Sequence, residues 1–192
     1  MNVLIIGDEH SYGCGLRAGQ LSYVGHLIRQ VSRTGQSIRV EVHTPSTTGC
    51  ILNTLNQLSL HQYDLILVQT EYFADELGSP LAWLGVPATT TALLARLRPF
   101  RHTVVLLTPL PHLQWAVRQR RKRLRTLLLR EAYRQMFSLF DTSGLLLSRP
   151  EYFLDHDPLV LNAISHELLG RSLYAFYQSA PTIVTVQPIR RG

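Results

Sequence analysis

The 192-residue sequence is poor in cysteine and lysine and has no long hydrophobic run. Its two cysteines, Cys14 and Cys50, are too few for a disulfide framework or a structural zinc site, and we expect both to be small buried residues. The apolar runs are far shorter than the roughly 20 residues of a membrane-spanning helix, so no membrane span is predicted. The run before Gly7 is also too short for a signal peptide and lacks its basic flank, which predicts a cytoplasmic protein.

Positive charge is unevenly distributed along the chain. Lysine and arginine number 19 against 13 acidic residues, for a formal net charge of +6, and Lys122 is the one lysine. The segment 118–134 holds eight of the cations and one acid, so its charge is +7 and that of the remaining chain is −1. Aromatic residues do not repeat through the segment, as binding to single strands usually requires, so no specific nucleic-acid partner is expected. A solvated helix face and an adaptor surface for an acidic partner are both consistent with it.

The pattern of apolar residues predicts alternating strands and helices within one domain, residues 1–192. Short apolar or alternating runs predict five strands, over 3–6, 38–42, 64–70, 102–108 and 140–147. Helical spacing separates them and predicts helices over 21–31, 51–58, 92–97, 114–139 and 159–177. Strands joined by helices indicate a five-stranded parallel sheet inside a three-layer α/β/α sandwich of the flavodoxin-like type.

In such a sheet, ligands bind where the strands end. The first strand is followed by a loop in the run Leu4-Ile-Ile-Gly-Asp-Glu-His-Ser-Tyr-Gly13, and the last helix is preceded by Asp157-Pro-Leu-Val-Leu-Asn162. These two runs resemble the Gly-Asp-Ser and Asp-Pro-x-His-Leu-Asn motifs of the SGNH (GDSL-type) hydrolases. The resemblance implies an SGNH-hydrolase-like fold and an esterase-like ancestry.

The resemblance also implies a role for each matching position. In the family, the serine after Gly-Asp attacks an ester, and the aspartate orients a histidine three residues later, which takes the serine's proton. Asp8 and Asp157 match this pattern, Gly49 falls at the place of the oxyanion-hole glycine, and Glu71 begins the block that corresponds to Gly-x-Asn.

The two chemically active positions depart from the family. Glu9 stands where the nucleophilic serine would be, and Val160 stands where the histidine base would be. Neither side chain can perform the missing step, and the members of a triad act as a unit. The sequence therefore predicts a catalytically degenerate or repurposed member, a pseudoenzyme that binds a ligand.

A displaced catalytic pair is the alternative, which would make the chain an active esterase or acyl hydrolase. Ser11 lies two residues beyond the lost nucleophile, and His156 precedes Asp157. Other roles for these residues are equally ordinary: Ser11 would cap a helix beginning near Leu16 or bond within its loop, and His156 would be a solvated loop residue. His166 is expected to have a structural role in the last helix.

Four carboxylates, Asp8, Glu9, Glu71 and Asp157, are expected to converge at one cleft. Clustered carboxylates raise one another's pKa, pair with arginine or bind a cation, so Glu71 and Tyr72 mark a candidate site for a small-molecule ligand or cation. Helix capping by Asp8 and Asp157 is the other interpretation. No cofactor and no resident metal are expected. The alternating tail 182–187 could form an edge strand that pairs with a second copy of the chain in a homodimer.

Overall fold

The computed structural model describes residues 1–71, 88–155 and 157–179, in which five strands form one parallel sheet. The strands are β1 (Asn2–Ile6), β2 (Arg39–His43), β3 (Leu65–Gln69), β4 (Val104–Leu107) and β5 (Ser138–Phe140). Their order across the sheet is β2-β1-β3-β4-β5, with every neighbouring pair parallel. The predicted five-stranded parallel sheet is confirmed. From β1 the chain adds β2 on one side, and then β3, β4 and β5 on the other side. Sheets of this type form their binding crevice where the strand order reverses, here between β1 and β3.

Helices cover both faces of the sheet. In the described residues they are α1 (Tyr23–Ser32), α2 (Thr48–Gln57), α3 (Ala88–Leu97), α4 (Trp115–Gln135), α5 (Thr142–Leu146) and α6 (Ala163–Ser179). Leu4 and Ile6 of β1 pack with α2, α3 and α4, whereas Val3 and Ile5 pack with α1 and α6. Successive side chains of a strand point to opposite faces, which is why a strand buried on both sides is apolar throughout.

The fifth strand is shorter than predicted. The expected strand over 140–147 is wrong, because β5 ends at Phe140 and residues 142–146 form α5. The Thr142 hydroxyl donates to the carbonyl oxygens of Thr108 and Pro109, which ties the start of α5 to the end of β4. The apolar residues after Phe140 thus fill the core from a helix.

The predicted helix over 159–177 begins too early. Residues 157–161 form β7 (Asp157–Leu161), which pairs antiparallel with β6 (Phe153–Leu154) outside the main sheet. The helix α6 starts only at Ala163, where Asn162 Oδ1 accepts a hydrogen bond from the Ser165 amide at 3.1 Å. A short apolar run fits a buried strand as well as the first turn of a helix, which explains the error.

The start of α1 also differs from the expectation. Ser22 caps it, since its hydroxyl accepts from the Gly25 amide at 3.2 Å, so Ser11 is not the capping residue. Ser11 instead ends a tight turn of 3₁₀ helix, Glu9–Ser11, directly after β1. No helix of the described residues is both long and apolar enough to cross a membrane.

A close crossing joins α1 to α6. Gly170 is buried, and a Cβ added there would lie 2.4 Å from the Cβ of His26 and 2.6 Å from the carbonyl oxygen of Tyr23. Backbone occupies part of that space, so no side-chain rearrangement could make room for a methyl group. The separation of the two helices therefore depends on glycine at this position.

We predict that Gly170→Ala lowers the free energy of unfolding by about 1–3 kcal/mol, because an extra methyl group forces the two helices apart. The measurement is urea denaturation followed by circular dichroism. Gly49→Ala is the matched control, because a Cβ there would have no heavy atom closer than 3.9 Å and alanine suits a helix. Equal stability of the two variants would contradict the tight crossing.

Candidate functional site

The loop after β1 is packed directly against the end of β3. A Cβ on Gly7 would lie 2.2 Å from Ser11 Oγ and 2.6 Å from Gln69 Oε1, so a larger residue would have to displace both side chains. Gln69 is buried, and its Oε1 accepts a hydrogen bond from the Asp8 amide at 2.6 Å. The turn that carries Asp8, Glu9 and Ser11 is therefore fixed at the β1–β3 crevice.

Within this turn, Asp8 and Glu9 face different surroundings. Asp8 Oδ1 accepts from the His10 amide at 3.0 Å and caps the 3₁₀ turn, as the capping interpretation expected. Glu9 is exposed to solvent. The residue at the nucleophile position thus points away from the buried side of the loop, where Ser11 lies.

The partly buried carboxyl groups of Asp8 and Glu71 lie close enough to interact electrostatically, with Arg121 near both. Glu71 Oε1 accepts from the Leu110 amide at 2.5 Å, and the Leu110 carbonyl accepts from Arg121 Nη1 at 2.7 Å. Glu71 Oε2 is buried and has no hydrogen-bond partner in the part of the chain that the structure describes. Arg121 belongs to α4, so the basic helix contributes a cation to the crevice.

Burial and neighbouring charges perturb the pKa of both carboxyl groups. Burial first, and then the charge of Asp8, raise the pKa of Glu71 to about 7, against the opposing effect of Arg121 and of hydrogen bonds to the backbone. The pKa of Asp8 is also raised, by burial first and by Glu9, against the opposing effect of His10 and Arg121. The site therefore holds a proton near neutral pH, and Arg121 compensates only part of the carboxylate charge.

Ser11 belongs to a second buried cluster with Tyr23 and His166. Its hydroxyl lies 2.8 Å from the Tyr23 hydroxyl, and burial raises the Tyr23 pKa, so the phenol stays neutral. His166 Nδ1 accepts from the Tyr23 amide at 3.1 Å, and its ring stacks on Tyr23 with centroids 6.2 Å apart. Burial lowers the pKa of His166 to about 3, so the imidazole is neutral. Its structural role in α6 matches the expectation.

The position of the missing base is filled by apolar packing. A Cβ on Gly15 would lie 2.4 Å from Val160 Cγ1, so the valine side chain rests against the loop that follows β1. Asp157 lies in β7 and accepts from the Leu159 amide at 2.9 Å, within its own segment. It was expected in a loop before the last helix, and its hydrogen bond does not reach the crevice.

Gly49 and Cys50 open the helix α2 at the end of β2. Gly49 is the second residue of α2, and a Cβ there would have Thr47 Oγ1, at 3.9 Å, as its nearest neighbour. Both cysteines are exposed, so the expectation of burial is wrong. The pKa of the Cys50 thiol is lowered by hydrogen bonds with Thr47 and Ser46.

Of the four carboxylates expected to converge, the structure brings Asp8 and Glu71 together. Glu9 points to solvent, and the hydrogen bond of Asp157 stays local. Tyr72 and His156 lie outside the described residues, as does the tail 182–187. Within 1–71, 88–155 and 157–179, no group of three acidic, histidine or cysteine side chains is arranged to hold a metal ion.

Sequence reasoning missed three residues of this edge: Gln69, Arg121 and Asp141. Gln69 could have been found as a polar residue ending an otherwise apolar strand. Arg121 was hidden among seven other cations, and Asp141 by the wrong strand over 140–147. Asp141 forms a bidentate salt bridge with Arg125: Nε donates to Oδ1 at 2.8 Å and Nη2 donates to Oδ2 at 2.5 Å. This interaction lowers the pKa of Asp141.

Comparisons with known proteins show the fold. The chain superposes on a lipase/acylhydrolase from Enterococcus faecalis with a TM-score of 0.69 and 20% identity, over 91% of this chain and 93% of that one. Superposition on a catalytic mutant of an acetylxylan esterase from Geobacillus stearothermophilus gives a TM-score of 0.66 and 15% identity, over 91% of this chain and 92% of that one. Superposition on a putative lipolytic protein of the G-D-S-L family from Desulfitobacterium hafniense gives a TM-score of 0.67 and 14% identity, over 91% of this chain and 98% of that one. The chain thus has the α/β fold of the SGNH (GDSL-type) hydrolases. No protein-family model and no curated protein matches its sequence.

Glu71 should make stability depend on pH. Its raised pKa means that the folded state binds more protons than the unfolded state between about pH 4.5 and 7, so its contribution is lost as pH rises through that range. We predict that, from pH 5 to pH 8, wild type loses about 2 kcal/mol of unfolding free energy relative to Glu71→Gln. Urea titrations at several pH values measure this, with Glu151→Gln at an exposed carboxylate as the control. Parallel pH profiles for wild type and Glu71→Gln would exclude the buried proton.

Proposed function

We propose that this chain is a ligand-binding protein that keeps the SGNH-hydrolase fold but has lost ester hydrolysis. One observation carries the proposal: Ser11, the buried serine of the first loop, hydrogen-bonds to a neutral tyrosine and to no histidine of the described residues. A serine hydroxyl is a poor nucleophile unless an adjacent base takes its proton. Tyr23 cannot serve as that base, because its raised pKa keeps the phenol protonated.

Neither histidine near Ser11 supplies the missing base. His166 uses Nδ1 to accept from the Tyr23 amide, and its low pKa makes it a weak proton acceptor. His10 stands 6.0 Å from the His166 ring, and its buried Nδ1 has no hydrogen-bond partner in the described residues. Ser11 itself is 2% exposed, so an ester carbonyl would have to displace the packing around it.

The geometry around Asp157 supports the same proposal. A hydrolase of this family needs the aspartate to hold the ring of a histidine three residues later. Asp157 lies in β7, and residues three apart in an extended strand point to opposite faces. Because Val160 packs against Gly15, we assign this segment a packing role.

What remains at the crevice suits binding. The partly buried carboxyl groups of Asp8 and Glu71, a guanidinium held by backbone carbonyls and the start of α2 all lie at the carboxyl edge of the sheet. Fixed polar groups of this kind orient a small ligand without chemistry. The ligand would take the place of the substrate.

A fluorophosphonate probe tests the loss of hydrolysis directly. We expect no covalent adduct on the wild-type protein, and equal hydrolysis of p-nitrophenyl acetate by wild type and Ser11→Ala, because no residue in the described part of the chain supplies a base to Ser11. Intact-mass spectrometry detects the adduct, and an active SGNH esterase is the positive control. An adduct on Ser11, lost in Ser11→Ala, would establish an active hydrolase with displaced residues.

Restoring the family's residues should restore a trace of the chemistry. We predict that Glu9→Ser with Val160→His gives a small, detectable rise in hydrolysis of short p-nitrophenyl esters, limited because Asp157 bonds to its own segment. Glu9→Ser alone should stay at background, since it lacks a base. Equal activity in the single and double variants would mean that a base is already present.

A further inference from the structure

A second cleft lies beside the crevice, between the first half of α4, the loop after β4 and the helix α5. Its volume is about 340 Å³, which is within the range of small-molecule sites. The polar residues that line it, together called the cationic cleft, are His112, Arg118, Arg121, Lys122, Arg125, Ser143 and Ser148. Pro111 and Leu147 add an apolar wall. No acidic side chain is among the described residues that line it.

The four cations of the cleft are only partly compensated. Arg125 is paired with Asp141, and Arg121 donates to the neutral carbonyls of Leu110 and Pro111. Arg118 and Lys122 are exposed and form no ion pair with any residue in the described ranges. The cleft therefore carries an excess of positive charge.

The arrangement costs the helix stability that a bound anion would offset. Arg118 and Lys122 are four residues apart, as are Arg121 and Arg125, and like charges at this spacing destabilise a helix. The packed contacts of Arg121 and Arg125 fix their guanidinium groups, so those groups are already ordered before a ligand arrives. Preordered donors bind more strongly, because less conformational entropy is lost.

His112 makes the cleft selective for an acceptor. His112 Nδ1 accepts from the Gln114 amide at 3.0 Å, and burial and Arg121 lower its pKa, so the neutral ring carries its proton on Nε2. Guanidinium, ammonium and imidazole N–H groups are all donors. Such a donor set fits the oxygens of a phosphate group, which accept many hydrogen bonds and carry up to two negative charges.

We propose that the cationic cleft binds the phosphate group of a small molecule. The cleft is confined at one end of the helix, whereas a nucleic acid would need a charged track with repeated aromatic contacts. The apolar wall offers a surface for an organic substituent on the phosphate. A phosphate group is thus the ligand class that the cleft fits. This rests on the proposed function in one respect, namely that the chain is a binding protein.

Isothermal titration calorimetry at one fixed salt concentration tests the proposal, with phenyl phosphate and inorganic phosphate as separate probes. Arg118→Ala/Lys122→Ala removes the two unpaired cations of the cleft. Arg120→Ala/Arg130→Ala removes the same charge from exposed sites on the same helix outside the cleft. We expect the first pair to weaken phosphate binding about tenfold or more and the second less than about twofold. Circular dichroism and urea midpoints check that both variants fold.

Each result decides the proposal. Tighter binding of phenyl phosphate than of inorganic phosphate supports an organic phosphate, and equal binding supports free phosphate as the source. Equal weakening by the two double variants would overturn the site, since only the charge of the helix would matter. Absence of binding by both probes would also overturn it. Calorimetry does not depend on hydrolysis, so an active esterase would refute the proposed function and leave the phosphate site standing.

Discussion

The close approach of the loop after β1 to the end of β3 is the constraint on which the site depends. Gly7 leaves no room for a Cβ between Ser11 and Gln69, and the buried Gln69 side chain holds the Asp8 amide. Any larger residue at position 7 would displace the Ser11 and Gln69 side chains, of which Gln69 holds the turn. The depth of Asp8, the direction of Glu9 and the burial of Ser11 all follow from this contact.

The charges at the crevice are held by the backbone of one residue, Leu110. The Leu110 amide donates to Glu71, and the Leu110 carbonyl accepts from Arg121, so an acid and a base of opposite charge are held on either side of the same residue. Because they do not touch, Arg121 reduces the repulsion between Asp8 and Glu71 without cancelling it. The crevice keeps a proton that a direct ion pair would release.

The sequence predicted the sheet well, because each buried strand is a short apolar run ending at a turn. It also placed Asp8 and Glu71 at the same edge, since parallel strands end together. It could not predict which side chains of the turn face inward: the direction of Glu9 depends on the contact between Gly7 and Gln69, which are 62 residues apart in the chain. The hairpin at 157–161 was missed for a similar reason, since its partner strand has only two residues.

The contact between α1 and α6 bears on how the chain is made. The Tyr23 amide donates to His166 across 143 residues of sequence, and Gly170 packs on the same turn of α1. On the ribosome, at about 5–20 residues per second, α1 is therefore synthesised on the order of ten seconds before the helix that covers it. Its apolar face, with Leu27 and Val31, stays available to chaperones or to other nascent chains during that interval. Substitutions in α6 that leave the finished protein stable could thus still lower its yield in the cell.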